Sequence, residues 1–403
     1  MSEASRDDVT VDFDHHSPEI AVDPYATWEA LRGKCPVTWT DAHDGYWVLT
    51  DFACVYEATR NDETFLSGPP GVGIPSYGID AQIPLETDAP MTQKYRRVLQ
   101  TRFSPAAAAA AEPVIQAIID ELIDAVIERG ECDLITEVAT PTPARFILRI
   151  LGFDEIRWEE FTDWVHHVVH DVTNDPEAAL LAASSLYGAI LELMEERRAN
   201  GLRDDIVSEL LQSEIDGVPL DDDVIANYTL LLIFGGLDTT ASAVGNALVR
   251  LDRQPELRRE LIEHPDVLPQ AVEELLRIDA PVQALARTVA HDVEMCGQQL
   301  RAGDRALLSW GAANRDPAEF PNPEVVDFRR PVNRHMSFGV GLHRCLGSNF
   351  GRTMFRLILG SILSRMPDYE LVGDPDQYRF KDIGVVWGHT NLPARFTPGR
   401  RSG

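Results

Sequence analysis

Ten residues, Phe338-Gly339-Val340-Gly341-Leu342-His343-Arg344-Cys345-Leu346-Gly347, constrain this chain more than any other stretch. Gly339 and Gly341, two residues apart, open backbone conformations closed to other residues, so the chain can fold tightly and approach a flat cofactor face. Cys345 then stands at the start of an apolar segment, 346–366, whose spacing predicts a helix. A helix N-terminus carries unpaired N–H groups and positive potential, which favour a thiolate over a thiol and tune a metal bound to the sulfur. Gly347 keeps the first turn narrow, and His343 and Arg344 set donors or positive charge beside the sulfur, suited to carboxylates at the edge of a flat cofactor. An isolated cysteine is usually a small buried hydrophobe. Six fixed letters in ten positions, however, have an accidental expectation on the order of 10⁻⁵ in a chain this long.

The surroundings read as a mainly α protein with a small β portion. Ser104-Pro105 is a helix N-cap followed by proline at the first helical position, and an alanine-rich tract follows. Apolar spacing predicts further helices over 113–128, 158–172, 177–198, 222–251 and 265–277. Strand-like pieces are short, over 45–50, 293–300, 306–309, 385–386 and 394–397. With no internal repeat and no Gly/Ser or Pro-rich linker, residues 1–403 read as a single domain, of which 1–20 are a flexible tail.

Charge and cysteine usage exclude several classes. Thirty-six basic against 65 acidic side chains give a net charge of −29, which repels phosphate backbones and argues against nucleic acid as a partner. The strongest apolar run, 228–237, is about half the length needed to span a bilayer, so no membrane association is expected. Five cysteines, odd in number and far apart, argue against a disulfide framework or a zinc site and favour a reducing cytoplasm.

The segment 338–347 resembles the haem-binding pattern of the cytochrome P450 family, Phe-Gly-x-Gly-x-His-x-Cys-x-Gly, at every fixed position. The resemblance implies the P450 fold, haem b as cofactor, and Cys345 as proximal iron ligand, with Phe338, Gly339, His343 and Gly347 around it. In this family the thiolate pushes electron density to favour O–O cleavage. It also gives meaning to Glu274 and Arg277, an i, i+3 pair completed by Arg330, as a charge network fixing the loop that carries the thiolate. Two glycines inside the helix over 222–251 cost about 1 kcal/mol each relative to alanine. Gly235 and Gly236 therefore serve either a dioxygen groove or close helix packing, with Thr239 able to bond back to Gly235.

By resemblance Asp238 and Thr239 deliver protons to bound oxygen, and Arg96 and Arg287 hold the haem propionates. Thr92 occupies the position where the family usually carries a histidine donor. Substrate-facing residues are expected from the 68–83 loop and from Phe234, Val282, Gln283, Leu285, Val385, Val386 and Trp387, with Gln283 as a polar anchor. Their apolar character suits a lipophilic terpenoid, steroid, polyketide or aromatic. The implied reaction inserts one oxygen atom of O2, with electrons from a ferredoxin-type donor and its reductase, docked at Arg102, Arg334 and Arg344. A peroxide-fed peroxygenase and a non-catalytic gas-binding haem protein are the alternatives, and the Asp238–Thr239 pair argues against both. His166 and His170, at i, i+4, read as a solvated or packed helix face.

Overall fold

A serine N-cap, a proline at the first position and a long isoleucine-bearing face make Pro105–Val126 one continuous helix, with the Ser104 hydroxyl accepting from the Ala107 N–H. The computed structural model describes residues 6–76, 81–170, 175–382, 384 and 386–402. Two helical stretches expected separately are thus fused across Pro113. An internal proline costs about 3 kcal/mol, and burial of Ile115, Ile118, Ile119 and Ile123 offsets it.

The chain forms two compact units, each drawn from three separated stretches. Residues 94–272, 346–379 and 388–403 make one, and 1–93, 273–345 and 380–387 make the other. The first is helical. Besides Pro105–Val126 it holds Pro141–Leu151, Trp158–His170, Pro176–Asn200, Asp222–Arg253 and Ser348–Arg365. Asp222–Arg253 is buried without a break from Thr240 to Val249, the pattern of a core helix. By length and composition it and Pro176–Asn200 could cross a bilayer, which the 228–237 run alone did not suggest. In Asp222–Arg253, however, 72% of the apolar window is buried inside the protein.

The second unit contains a five-stranded sheet in the order Val37–Thr40, Tyr46–Leu49, Arg305–Ser309, Ala284–Val289, Phe65–Leu66. Its strands are antiparallel except where Arg305–Ser309 runs parallel to Tyr46–Leu49. The strands over 45–50, 293–300 and 306–309 are found where expected, 293–300 as a hairpin. Val37–Thr40 and Ala284–Val289 are buried along most of their length, and their lack of a polar-out alternation hid them from a period-two reading.

Two expectations are corrected in this unit. Within the stretch read as a flexible tail, residues 6–20 are held. Val11 N–H donates to the Trp39 carbonyl at 2.8 Å, and Phe13 and His15 are buried. Cys54 and Cys296 form a disulfide that ties the helix Phe52–Arg60 to a hairpin turn, with Cα atoms 6.3 Å apart. Their separation of 242 residues left no spacing signal.

Candidate functional site

The loop carrying Cys345 is closed by its own backbone: Cys345 N–H donates to the Phe338 carbonyl at 2.7 Å, and Gly339 N–H to Met336 O at 2.8 Å. That closure needs left-handed backbone at Gly339 (φ +62°) and Gly341 (φ +73°), which glycine adopts without steric cost. Cys345 lies outside the disulfide and is exposed, whereas Cys132 is buried. The helix Ser348–Arg365 follows, with Gly347 at its N-cap, two residues later than the apolar pattern suggested.

A buried charge network braces the approach to this loop. Glu274 and Arg277 have no exposed surface. Both carboxylate oxygens of Glu274 accept from Arg277 (2.8 and 2.9 Å) and from Arg330 (3.1–3.2 Å), and the Asn333 amide adds a bond at 3.1 Å. Burial pushes the Glu274 carboxyl upward, but the two guanidiniums outweigh it and hold the group below its ordinary value. Arg277 also donates to the carbonyls of Asn314 and Pro323. Asn314 in turn binds Ser337 Oγ and accepts from Met336 N–H, so the network reaches the residue two before Gly339.

On the helix Asp222–Arg253 the two glycines divide the roles that the sequence left open. A Cβ on Gly236 would lie 2.8 Å from Ile147, whereas one on Gly235 would meet nothing within 4 Å. Gly236 serves close packing and Gly235 borders open space. Thr239 Oγ1 donates to the Gly235 carbonyl at 2.9 Å, as expected. Asp238 is buried, and its partners were missed: His166 Nε2 lies 2.8 Å from Oδ1 and His170 Nε2 2.9 Å from Oδ2. The i, i+4 spacing was visible in the sequence, but the acceptor is 68–72 residues away. Burial, the largest influence on Asp238, raises its carboxyl, and the two imidazoles together overcome it and hold the group low.

Other expected site residues sort clearly. Arg287 is buried, and burial first, then Arg305, pushes its guanidinium down to about 10 while Asp88 and Glu86 pull the other way. Arg96, on the helix Met91–Leu99, and Phe338, His343, Phe234, Val282 and Leu285 are partly exposed. Thr92 is buried, its hydroxyl donating to the Thr87 carbonyl and lying 2.9 Å from Thr87 Oγ1. It is thereby withdrawn from the donor role.

Gln283 is fully buried, accepting from Trp28 Nε1 at 3.0 Å and donating to the Ala280 carbonyl and the Tyr25 hydroxyl. Its hydrogen-bonding capacity is spent on the fold, so it is no substrate anchor. Trp387 is likewise a core residue, bonded through Nε1 to the Ala21 carbonyl, and Val386 is buried. Val385 and residues 77–80 of the 68–83 loop lie outside the described residues. Arg102 is held by Glu209 and Asp204, and Arg334 by Glu319, so these cations bring less net positive charge to a docking face than the sequence implied.

Residues 147–377 match the family model for cytochrome P450. The steroid C26-monooxygenase of Mycobacterium tuberculosis is 32% identical over 378 residues, covering 93% of this chain and 94% of its own. This chain belongs to the cytochrome P450 family. The methyl-branched lipid omega-hydroxylase of Mycobacterium bovis is 29% identical, over 86% of this P450 and 85% of its own length. Among solved structures, CYP109E1 from Bacillus megaterium in complex with testosterone superposes with a TM-score of 0.87 at 28% identity, covering 94% of this P450 and 99% of that chain. The protein is therefore a haem b monooxygenase that takes a lipophilic substrate, O2 and electrons from a redox partner.

Proposed function

We propose that this P450 hydroxylates a lipophilic small molecule of the steroid or branched-lipid kind within the broader terpenoid, steroid, polyketide or aromatic range, with Cys345 as the thiolate ligand of its haem iron. The observation that carries this reading is an exposed cysteine on a glycine-turned loop, braced by Glu274, Arg277 and Arg330. The residues fit haem b. The thiol of Cys345 is presented rather than buried, Gly339 and Gly341 let the backbone lie close to a flat face, and Arg287 is a buried cation whose charge an anionic propionate would relieve. Arg96 and His343 are the further propionate donors, and Phe338, Gly339 and Gly347 form the thiolate side.

Bound haem supplies O2 activation and transfer of one oxygen atom, the other leaving as water. The chain's own contribution is to hold the ligand, orient the substrate and manage protons. Asp238 and Thr239 serve as proton relay, the Gly235 opening admits dioxygen, and Phe234, Val282 and Leu285 offer apolar contact to substrate. The support for lipid and steroid chemistry is what the relatives act on or bind and the apolar character of these three side chains.

Electrons come from a ferredoxin-type donor and its reductase, residues 1–403 act as one P450 domain, and the enzyme works in the cytoplasm. The test is the carbon monoxide spectrum of the reduced protein. The wild type should give the thiolate-ligated form and Cys345→His the imidazole-ligated one, and an unchanged spectrum in Cys345→His would overturn the assignment. A steroid and branched-lipid panel read by shifts of the ferric haem spectrum then identifies the substrate class.

A further inference from the structure

Asp238 is an unusual buried acid because each of its two carboxylate oxygens lies against a histidine ring. The side chain of Asp238 is 4% exposed, that of His170 13% and that of His166 37%. A graded path thus runs from solvent through an imidazole to a carboxylate inside the helix core. The two rings sit one turn apart on Trp158–His170, with centroids 5.7 Å apart, and each takes a different oxygen of Asp238.

Several charges on the other elements packed against Asp222–Arg253 are paired away from Asp238. Arg145 of Pro141–Leu151 binds Glu155 and Glu121, Arg197 and Arg198 of Pro176–Asn200 bind Asp205 and Asp222, and Arg365 of Ser348–Arg365 binds Asp124. Gly236 meets only apolar Ile147. On Trp158–His170 itself, His167 lies 3.9 Å from Asp163. The charges that weigh most on Asp238 are those of His166 and His170.

We infer that His166 and His170 are the proton source that reloads Asp238 in each catalytic cycle, with His166 as the solvent-facing member. This rests on the reading of Asp238 and Thr239 as a proton relay. The proton balance is simple. An imidazolium gives its Nε2 proton to the Asp238 carboxylate, the resulting carboxylic acid passes a proton onward and returns to carboxylate, and the neutral imidazole takes a proton from water. Two such events supply the two protons that leave in the product water, while both electrons come from the redox partner. A guanidinium or ammonium clamp on the same acid could neutralise it but would not release protons near neutral pH. Two imidazoles can do both.

The experiment uses the haem-loaded protein and the variants His166→Gln, His170→Gln, His166→Lys and Asp238→Asn. Histidine ¹⁵N labelling reads the Nε2–H signals directly. Two hydrogen-bonded Nε2–H signals are expected in the wild type, that of His166 exchanging with water, with loss of at least one in Asp238→Asn, whose amide oxygen is a single acceptor. Absence of a hydrogen-bonded Nε2–H signal from either ring in the wild type, or a His166 signal closed to exchange with water, would overturn the inference.

The second readout is the fraction of NADH electrons recovered as hydrogen peroxide across pH 6–9, with a surrogate ferredoxin and reductase, with and without testosterone as probe. Each glutamine variant should raise that fraction about tenfold at neutral pH, below the 10²–10⁴ of a fully lost acid–base group because one imidazole remains. His166→Lys should match the wild type in thermal stability yet show a flattened pH profile. If His166→Lys restores both stability and the wild-type profile, the histidines only hold Asp238 in place and the inference fails. If the glutamine variants keep the wild-type profile while Asp238→Asn loses coupling, the inference fails and the relay stands. If Asp238→Asn also keeps full coupling, the relay itself is wrong.

Discussion

Arg330 and Glu274 are 56 residues apart in the chain, yet Nε of Arg330 lies 3.2 and 3.1 Å from the two carboxylate oxygens of Glu274. Arg277 holds the same oxygens from one turn away on its own helix. Replacing Glu274 with glutamine leaves two guanidiniums without their anion in a buried place, a loss of about 3–5 kcal/mol. Urea unfolding should show it, together with reduced haem retention. The folded-state carboxyl is held below its ordinary value of 4.5. Its contribution is therefore present above that pH and is lost as pH falls through the lowered folded value. Glu274→Gln should flatten the acid side of the stability curve.

Gln283 was expected at the substrate and is found in the core. Gln283→Leu strands Trp28 Nε1, whose acceptor is Gln283 Oε1, and each unsatisfied buried donor costs about 1–3 kcal/mol. A fall in melting temperature with unchanged substrate-induced spectral shifts is the expected pair of results. A selective loss of substrate affinity at constant stability would return Gln283 to the pocket.

The contrast between Glu274 and Gln283 shows what the sequence made legible. Glu274, Arg277 and Arg330 were found because one pair is local on a helix and the third residue sits at a recognisable family position. Cys345 was found because several fixed letters bear on one backbone loop. Gln283, Trp387 and Thr92 were misplaced because position along the chain says which element a residue occupies and not which way its side chain is used. Each had a polar group that the fold itself could satisfy, through Trp28, the Ala21 carbonyl and Thr87. The His166–Asp238–His170 contact and the Cys54–Cys296 bridge join positions tens to hundreds of residues apart, which no local periodicity encodes.

Gly235 and Gly236 are neighbours with opposite expected responses. Gly236→Ala forces a methyl to 2.8 Å from Ile147 and should destabilise by about 1–3 kcal/mol through overpacking. Gly235→Ala adds a methyl in open space and should gain about 1 kcal/mol from helix propensity. The same methyl enters the space assigned to dioxygen, so carbon monoxide should bind the reduced protein more slowly. Equal melting temperatures for the two variants would contradict this division of labour.

His15 is buried beside Tyr46, its Nδ1 2.8 Å from the phenol oxygen. Burial first, then the neighbouring His16, pushes its pKa from 6.5 down to about 3. A neutral imidazole of this kind contributes stability that is fully present above pH 6.5 and is lost as pH falls toward 3. His15→Asn should therefore be less sensitive to acid across that window than the wild type, as read by unfolding midpoints at a series of pH values.

Thr239 donates to the Gly235 carbonyl at 2.9 Å, a back-bond that slightly weakens a helix. Removing it should cost the fold nothing, so Thr239→Ala is expected to bind haem with wild-type occupancy and melt at or above the wild-type temperature. What changes is the fate of electrons. Without the hydroxyl, protons are misdirected and reducing equivalents appear as peroxide, whereas Thr239→Ser, which keeps the hydroxyl, should restore coupling. The serine variant separates the two uses of this side chain. If Ser and Ala behave alike, with full coupling, the hydroxyl is only a local helix contact and the proton role belongs to Asp238 alone.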